Sequence, residues 1–235
     1  MRSTPRMSDL LRIEDLRYTW PGETMPVLDI PEFTIGRGER VFMQGPSGSG
    51  KSTLLAAIAG LIRPDAGRIF FDRTDLGSLS AAARDRFRAE HLGVIFQQFN
   101  LLPWLDVRAN VILPCRFSRT RAKRTGDISA AADELLDAMD LAPALRGKRA
   151  DELSVGQQQR VAAARALIGK PQLVLADEPT SALDSDRRQA FIELLFSQVA
   201  AAGSALLFVS HDPELARDFD REVSLPAINR PGMAA

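Results

Sequence analysis

Gly45-Pro46-Ser47-Gly48-Ser49-Gly50-Lys51-Ser52 fits the pattern G-x-x-x-x-G-K-[ST] at every position. Ordinary residue frequencies place such a match in a chain of 235 residues on the order of once in a hundred. The flanks agree with it. Arg40-Val41-Phe42-Met43-Gln44 predicts a short buried strand entering the loop, and Ser52 to Leu61 predicts a helix leaving it. Glycines let the backbone wrap an anion without Cβ clashes. Several N–H groups then face one concavity at a helix N-terminus, where the macrodipole also favours negative charge. Lys51 is a point charge for the β- and γ-phosphates of a nucleotide, and the Ser52 hydroxyl can ligate Mg²⁺.

A second stretch carries complementary chemistry. Leu173-Val174-Leu175-Ala176-Asp177-Glu178 ends an apolar strand in two carboxylates. Ligands of open α/β folds bind at that end of a parallel sheet. Asp177 is placed to hold Mg²⁺, directly or through water, and Glu178 to polarise an attacking water as general base. Two like charges so close repel each other, so the pair calls for a cation. Alone, the pair reads almost as well as two surface acids at a strand-to-loop junction; beside the phosphate loop it does not.

The remaining elements alternate. Leu11, Ile13, Leu16 and Tyr18 predict a strand, and Val27 to Ile35 another, held to a sheet edge by Pro26 and Pro31. Gly36 to Glu39 predicts a turn, and Arg68 to Phe71 and Gly93 to Phe96 predict strands. Ser80 is the expected N-cap of a helix running to about Glu90. Asp106 to Leu141 lacks strand signals, and Ile128, Leu135, Leu136 and Met139 recur at helical spacing. Helices are expected over Gly156 to Ile168, over Ser185 to Ala202 and from near Asp212, with a strand at Ala205 to Val209. Strands alternating with helices predict an α/β domain with a mainly parallel sheet. The basic cluster Arg119 to Arg124 reads as a solvated helix face or loop, and His91 as a surface residue.

Composition narrows the field. Thirty basic and thirty acidic residues cancel, which gives no electrostatic reason to expect a nucleic-acid partner. Cys115 is the single cysteine, so no internal disulfide forms, and its place after Pro114 in an apolar run predicts a packed small side chain. No run approaches the ~18 apolar residues of a membrane span, and no signal-peptide pattern follows Arg2 and Arg6. The expected organisation is a flexible tail at 1–9, one domain at 10–225 and a tail at 226–235.

Leu153-Ser154-Val155-Gly156-Gln157-Gln158-Gln159-Arg160 resembles the LSGGQ signature of ABC (ATP-binding cassette) ATPases. The order of the other motifs is similar to that family: Gln97 after Val94-Ile95-Phe96, Ser181-Ala182-Leu183-Asp184 after the acidic pair, and His211 after Leu206 to Ser210. The resemblance covers about residues 10 to 220. It implies a P-loop NTPase core, an N-terminal antiparallel β subdomain and a helical signature subdomain at about 98–165. It also implies two copies sandwiching two ATP, each held by the phosphate loop with Thr53 in one copy and by Ser154, Gly156 and Gln157 of the other. Gln97 would touch the metal or water, Asp184 would act across the dimer, and His211 would hold the γ-phosphate and the attacking water. Tyr18 is the expected adenine-stacking ring and Trp20 the runner-up. Position 155 departs from the family pattern, which has glycine there.

Phe96-Gln97-Gln98-Phe99-Asn100-Leu101-Leu102-Pro103 is similar to the branch that contains lipoprotein-release and macrolide-export ATPases. The resemblance implies a separate transmembrane permease as partner, and a peripheral place on the cytoplasmic face of the inner membrane. Leu101, Leu102, Trp104 and Leu105 are equally open to docking that permease and to packing the helical subdomain. ABC-type ATPases of DNA repair or translation carry long coiled-coil insertions or two cassettes, for which this chain leaves no room.

Overall fold

The computed structural model describes residues 9–181 and 183–230. The chain divides into two compact units, one formed by Met1–Asp85 with Leu207–Ala235, the other by Arg86–Leu206. Among the described residues no helix is long and apolar enough to cross a membrane.

The first unit holds β1 (Asp9–Tyr18), β2 (Leu28–Gly36), β3 (Arg40–Gln44), α1 (Lys51–Ile58), β4 (Ala66–Phe71) and β5 (Thr74–Asp75). Four strands form an antiparallel sheet in the order β2-β1-β4-β5. Pro31 therefore sits on an edge strand, where its missing N–H removes no ladder bond. Strand β1 buries Leu11 and Ile13, then Leu16 and Tyr18, so its alternation slips by one residue. The slip is a bulge opposite β4, between Glu14 and Arg17, with Asp15 at φ 47°. Gly67 faces the bulge, where an added Cβ would lie 2.3 Å from the Asp15 carbonyl oxygen.

The second unit takes most of α2 (Ala81–His91), then β6 (Leu92–Ile95), α3 (Val107–Phe117), α4 (Arg119–Thr125), α5 (Ile128–Ala138), α6 (Val155–Leu167), β7 (Leu173–Asp177) and α7 (Ser185–Ala202). β6 and β7 pair in parallel. α3 packs on α4, α5 and α6. Helix α6 is buried almost all round from Val161 to Leu167, and four alanines in that stretch let neighbours approach its axis. Strand β8 (Ala205–Ser210) leads the chain back to the first unit. There β9 (Arg221–Ser224) pairs in parallel with β3, and α8 (Leu225–Ile228) follows. Phe42 of β3 meets Phe208 at 6.3 Å and Phe219 at 5.3 Å between ring centroids. The helix expected from Asp212 is a 3-10 turn, Pro213–Asp218, with the Asp212 carboxylate accepting from the Glu214 amide.

Three expectations change. The basic cluster is not a solvated face throughout, because Arg121 is 2% exposed and donates only to backbone carbonyls. His91 is half-buried, its Nδ1 2.6 Å from the Gln172 side-chain oxygen and its ring 4.6 Å from Phe87. Of the expected tails, residues 1–8 and 231–235 lie outside the described residues, while Asp9 belongs to β1 and residues 226–230 are tied down. Buried Asn229 accepts from the Asp29 amide at 2.6 Å and donates to the Val27 carbonyl at 2.9 Å. Cys115 is buried, as its apolar surroundings in sequence imply.

Asn229→Ala takes the side-chain partner from the part-buried Asp29 amide and Val27 carbonyl. The expected cost is about 1–3 kcal/mol of stability, read from urea unfolding.

Candidate nucleotide-binding site

In the first unit, the phosphate loop connects β3 to α1. Gly50 is the N-cap of α1 at φ 98°, and no side chain caps the helix. An N-terminus without a side-chain cap leaves backbone donors for a ligand. Gly48 is at φ 78°, with open space where a Cβ would stand. Two left-handed residues in this short loop need glycine at both positions. At Gly45 a Cβ would lie 2.7 Å from Ser49 Oγ and 3.3 Å from Pro226 Cδ, so any side chain there would crowd the loop. Lys51 is 8% exposed and its ammonium donates to the carbonyls of Gly45 at 2.7 Å and Pro46 at 3.0 Å. These bonds hold the charge over the loop. Pro46, Ser47 and Gly48 form the exposed tip, Ser52 is exposed on the first helical turn, and Thr53 is buried beneath it. The Ser49 hydroxyl is buried with no protein partner.

At the end of β1, Tyr18 is 8% exposed and packs edge-on against Trp20 at 5.1 Å. Trp20 is 44% exposed. A ring that stacks on a base must present a free face, which Trp20 does and Tyr18 does not. His211 is exposed and directly follows β8.

The second unit carries the acids and the signature. Asp177 ends β7, and Glu178 follows at φ 47°. That left-handed conformation costs a glutamate on the order of 1–3 kcal/mol, a strain typical of functional sites. Both residues are half-buried, and Oδ1 of Asp177 is fully buried. Buried Gln159 donates to the Pro179 carbonyl at 2.6 Å and so fixes the segment behind the acids to α6. Gln97 and Gln98 are exposed after β6, and the next residues, Phe99 and Asn100, both have positive φ, 57° and 49°. Arg165 of α6 donates to their carbonyls at 2.5 and 2.6 Å. Burial lowers the Arg165 pKa to about 10, so it stays charged at neutral pH. Buried Asn110 holds the Leu102 amide and carbonyl, at 2.8 and 3.0 Å. Trp104 is exposed, with Leu101, Leu102 and Leu105 half-exposed beside it.

Helix α6 begins at the signature with a capping box. Ser154 Oγ accepts from the Gln157 amide at 3.3 Å, and the Gln157 side chain accepts from the Ser154 amide at 3.0 Å. The Gln157 amide is thus used within the chain. Val155 is 49% exposed at the first helical position. A Cβ on Gly156 would meet only Leu183 Cδ2, at 3.9 Å. Glycine costs a helix about 1 kcal/mol against alanine, and nothing in the fold requires it here. Its bareness suits an object approaching from outside. Ser154, Val155, Gly156 and Gln157 line a cavity of about 400 Å³ together with Leu183 and Arg187. Asp184 N-caps α7, accepting from the Arg187 amide at 3.0 Å. Ala182 of the same motif lies outside the described residues.

The family model described as ABC transporter matches residues 28–181. The chain belongs to the ABC transporter family. The lipoprotein-releasing system ATP-binding protein LolD of Syntrophotalea carbinolica is 42% identical over 202 residues, covering 85% of this chain and 86% of that protein. LolD of Anaeromyxobacter dehalogenans is 44% identical over 200 residues, covering 85% and 82%. Among solved structures, the dimeric post-hydrolysis state of the ATP-binding cassette MJ0796 bound to ADP and Pi shares 34% identity at a TM-score of 0.80, over 91% of this chain and 93% of that one. CbiO1 of Clostridium perfringens, part of the ABC transporter complex cbiONQ, shares 26% identity at a TM-score of 0.77, over 92% and 84%. The chain is an ABC ATPase subunit homologous to LolD, with the mixed α/β fold of such cassettes.

The motif reading named the loop, the acids, Gln97, Ser154 and His211, but left Arg165, Asn110 and the tie from Gln159 without roles. Arg165 is the one polar residue in the apolar stretch Val161 to Leu167, whereas Gln159 lies in the polar run Gln157 to Arg160 and carries no distinguishing signal. Lys51→Ala removes the charge held over the phosphate loop. Tight ATP binding should be lost while the melting temperature of the ATP-free protein changes little, measured by calorimetry of both.

Proposed function

We propose that this ABC ATPase closes as a dimer of two copies around two ATP and uses that closure to drive a separate permease of the lipoprotein-releasing type. The observation that carries the reading is Gly156, bare at a helix end where the fold gains nothing from a glycine. An ATP held by one copy and met by the signature of the other accounts for it.

The roles follow from donor chemistry. Loop amides from Ser47 to Ser52 and the Lys51 ammonium bind the phosphates beside Gly45 and Pro46, with Thr53 packed under the loop. Trp20 takes the adenine face in place of Tyr18. Ser52, Asp177 and Gln97 offer only oxygen ligands, the donor set of a hard, octahedral divalent ion. These residues would hold magnesium, which would supply positive charge against the phosphates. Glu178 accepts the proton of the attacking water, and His211 orients that water against the γ-phosphate. Ser154 and the amides of Val155 and Gly156 meet the partner's γ-phosphate, since the Gln157 amide is already bonded to Ser154. Asp184 acts across the same interface. Losing the γ-phosphate removes the contact that joins the two copies, so hydrolysis reopens the dimer.

The exposed Trp104, flanked by Leu101, Leu102 and Leu105, supports a permease contact on the loop that carries Gln97. The same loop, pinned by Arg165 and Asn110, would carry the movement to the signature helix. Membrane attachment then comes through the permease, on the cytoplasmic face.

Glu178→Gln should lower turnover by roughly two to four orders of magnitude while ATP binding persists. It should also accumulate an ATP-dependent dimer in light scattering. Turnover near wild type would refute the base assignment. Isolation from native membranes should recover a multispanning permease with this subunit; repeated recovery of the subunit alone would refute the coupling.

A further inference from the structure

Helix α6 presents the signature at its first turn and is anchored at its last. Carbonyls at a helix C-terminus need partners outside the helix. Here one guanidinium supplies them. Arg121 of α4 donates to the Ala166 carbonyl at 2.6 Å and to the Ile168 carbonyl, at the C-cap, at 2.8 Å. It also donates to the Leu92 carbonyl at the start of β6, at 3.0 Å. No carboxylate among the described residues forms an ion pair or hydrogen bond with it. Burial lowers its pKa to about 10, and it remains a cation at neutral pH.

Two glycines crowd the same point. A Cβ on Gly93 would lie 2.3 Å from the Ala166 carbonyl oxygen, and one on Gly169 would lie 2.7 Å from Arg121 Cγ. β6 closes on the helix end from one side, and the turn after α6 closes on the arginine from the other. Little room remains for α6 to slide or tilt at this end.

Stability is a weak reason to bury such a group. Apolar side chains of similar volume often serve a core as well as or better than buried ions do. What a guanidinium adds is direction: its N–H donors fix the positions of several carbonyls at once, and the negative end of the helix dipole partly offsets its desolvation. Helix α6 has 13 residues, about 20 Å at 1.5 Å per residue, and is rigid on that scale.

We infer that Arg121 is a positioning residue for the ATPase reaction: by clamping the C-terminal end of α6 to β6, it sets where Ser154 and Gly156 stand when a second copy's ATP arrives. The inference rests on the proposed sandwich dimer.

The test uses the full chain with Glu178→Gln, alone and combined with Arg121→Met or Arg121→Lys. Nucleotide affinity of the monomer is measured by titration at low protein concentration, and the ATP-dependent dimer constant by sedimentation. Arg121→Met should leave monomer affinity within about twofold and weaken the dimer by about tenfold or more, with Arg121→Lys recovering part of the loss. A lower melting temperature with an unchanged dimer constant overturns the inference, because a merely structural arginine would give that result. If Arg121→Met does not fold, amide hydrogen exchange of residues 154–160 in Arg121→Lys decides. Faster exchange supports positioning, and exchange equal to the parent overturns it. Failure of Glu178→Gln itself to dimerise with ATP would instead refute the sandwich reading.

Discussion

The start of α1 has backbone donors and no side chain to receive them. Residue 50 is a glycine in a left-handed conformation, so the cap position offers neither hydroxyl nor carboxylate. Elsewhere in the chain the same task is done internally: Asp106, Asp127, Ser154 and Asp184 each cap a helix with their own oxygen. The difference has a physical meaning. Capped helix starts are satisfied within the chain, and an uncapped one beside a buried lysine is held ready for an anion. The first unit is arranged around that readiness, with β3 delivering the loop and Asn229 holding the adjoining backbone at Val27.

The second unit solves a different problem, that of placing several short motifs on one rigid part. Helix α6 is that part. Gln159 reaches the segment behind the acids, Arg165 reaches the two left-handed residues after Gln97, and Arg121 holds the far end. All three are buried polar groups bonded to backbone carbonyls. Such bonds survive where water is excluded, and removing either partner leaves a costly unsatisfied group. The candidate site residues of this unit, Gln97, Ser154, Asp177 and Glu178, are exposed or half-buried, and the side chains that hold their segments in place are buried.

Glu178, Phe99 and Asn100 take up positive φ without being glycine, and all three adjoin motif residues. Asp15 does so far from any motif, at a bulge that realigns the buried face of β1. Asp72, Asp140 and Lys170 also take up positive φ, at turns outside the motifs, so such strain is not confined to the candidate site.

The chemistry-bearing residues were legible in the chain because each is set by local requirements: glycines where the backbone must turn left-handed, a lysine one residue after the last of them, acids where an apolar strand stops. The limits of β7, β8, α1, α2, α6 and α7 were legible to within a few residues for the same reason, since period and punctuation are short-range, whereas β9 and α8 were not read and the helix expected from Asp212 is a 3-10 turn. Three readings needed the tertiary structure. Arg121 looks like any surface arginine in a basic cluster until the ends of α6 and β6 surround it. Tyr18 leads Trp20 as the aromatic candidate in the sequence, but the fold buries the Tyr18 ring and leaves Trp20 open. Residues 226–230 look like a tail until Asn229 finds Asp29, two hundred positions earlier. Burial and long-range hydrogen bonding depend on which distant segments meet, and no local pattern encodes that meeting.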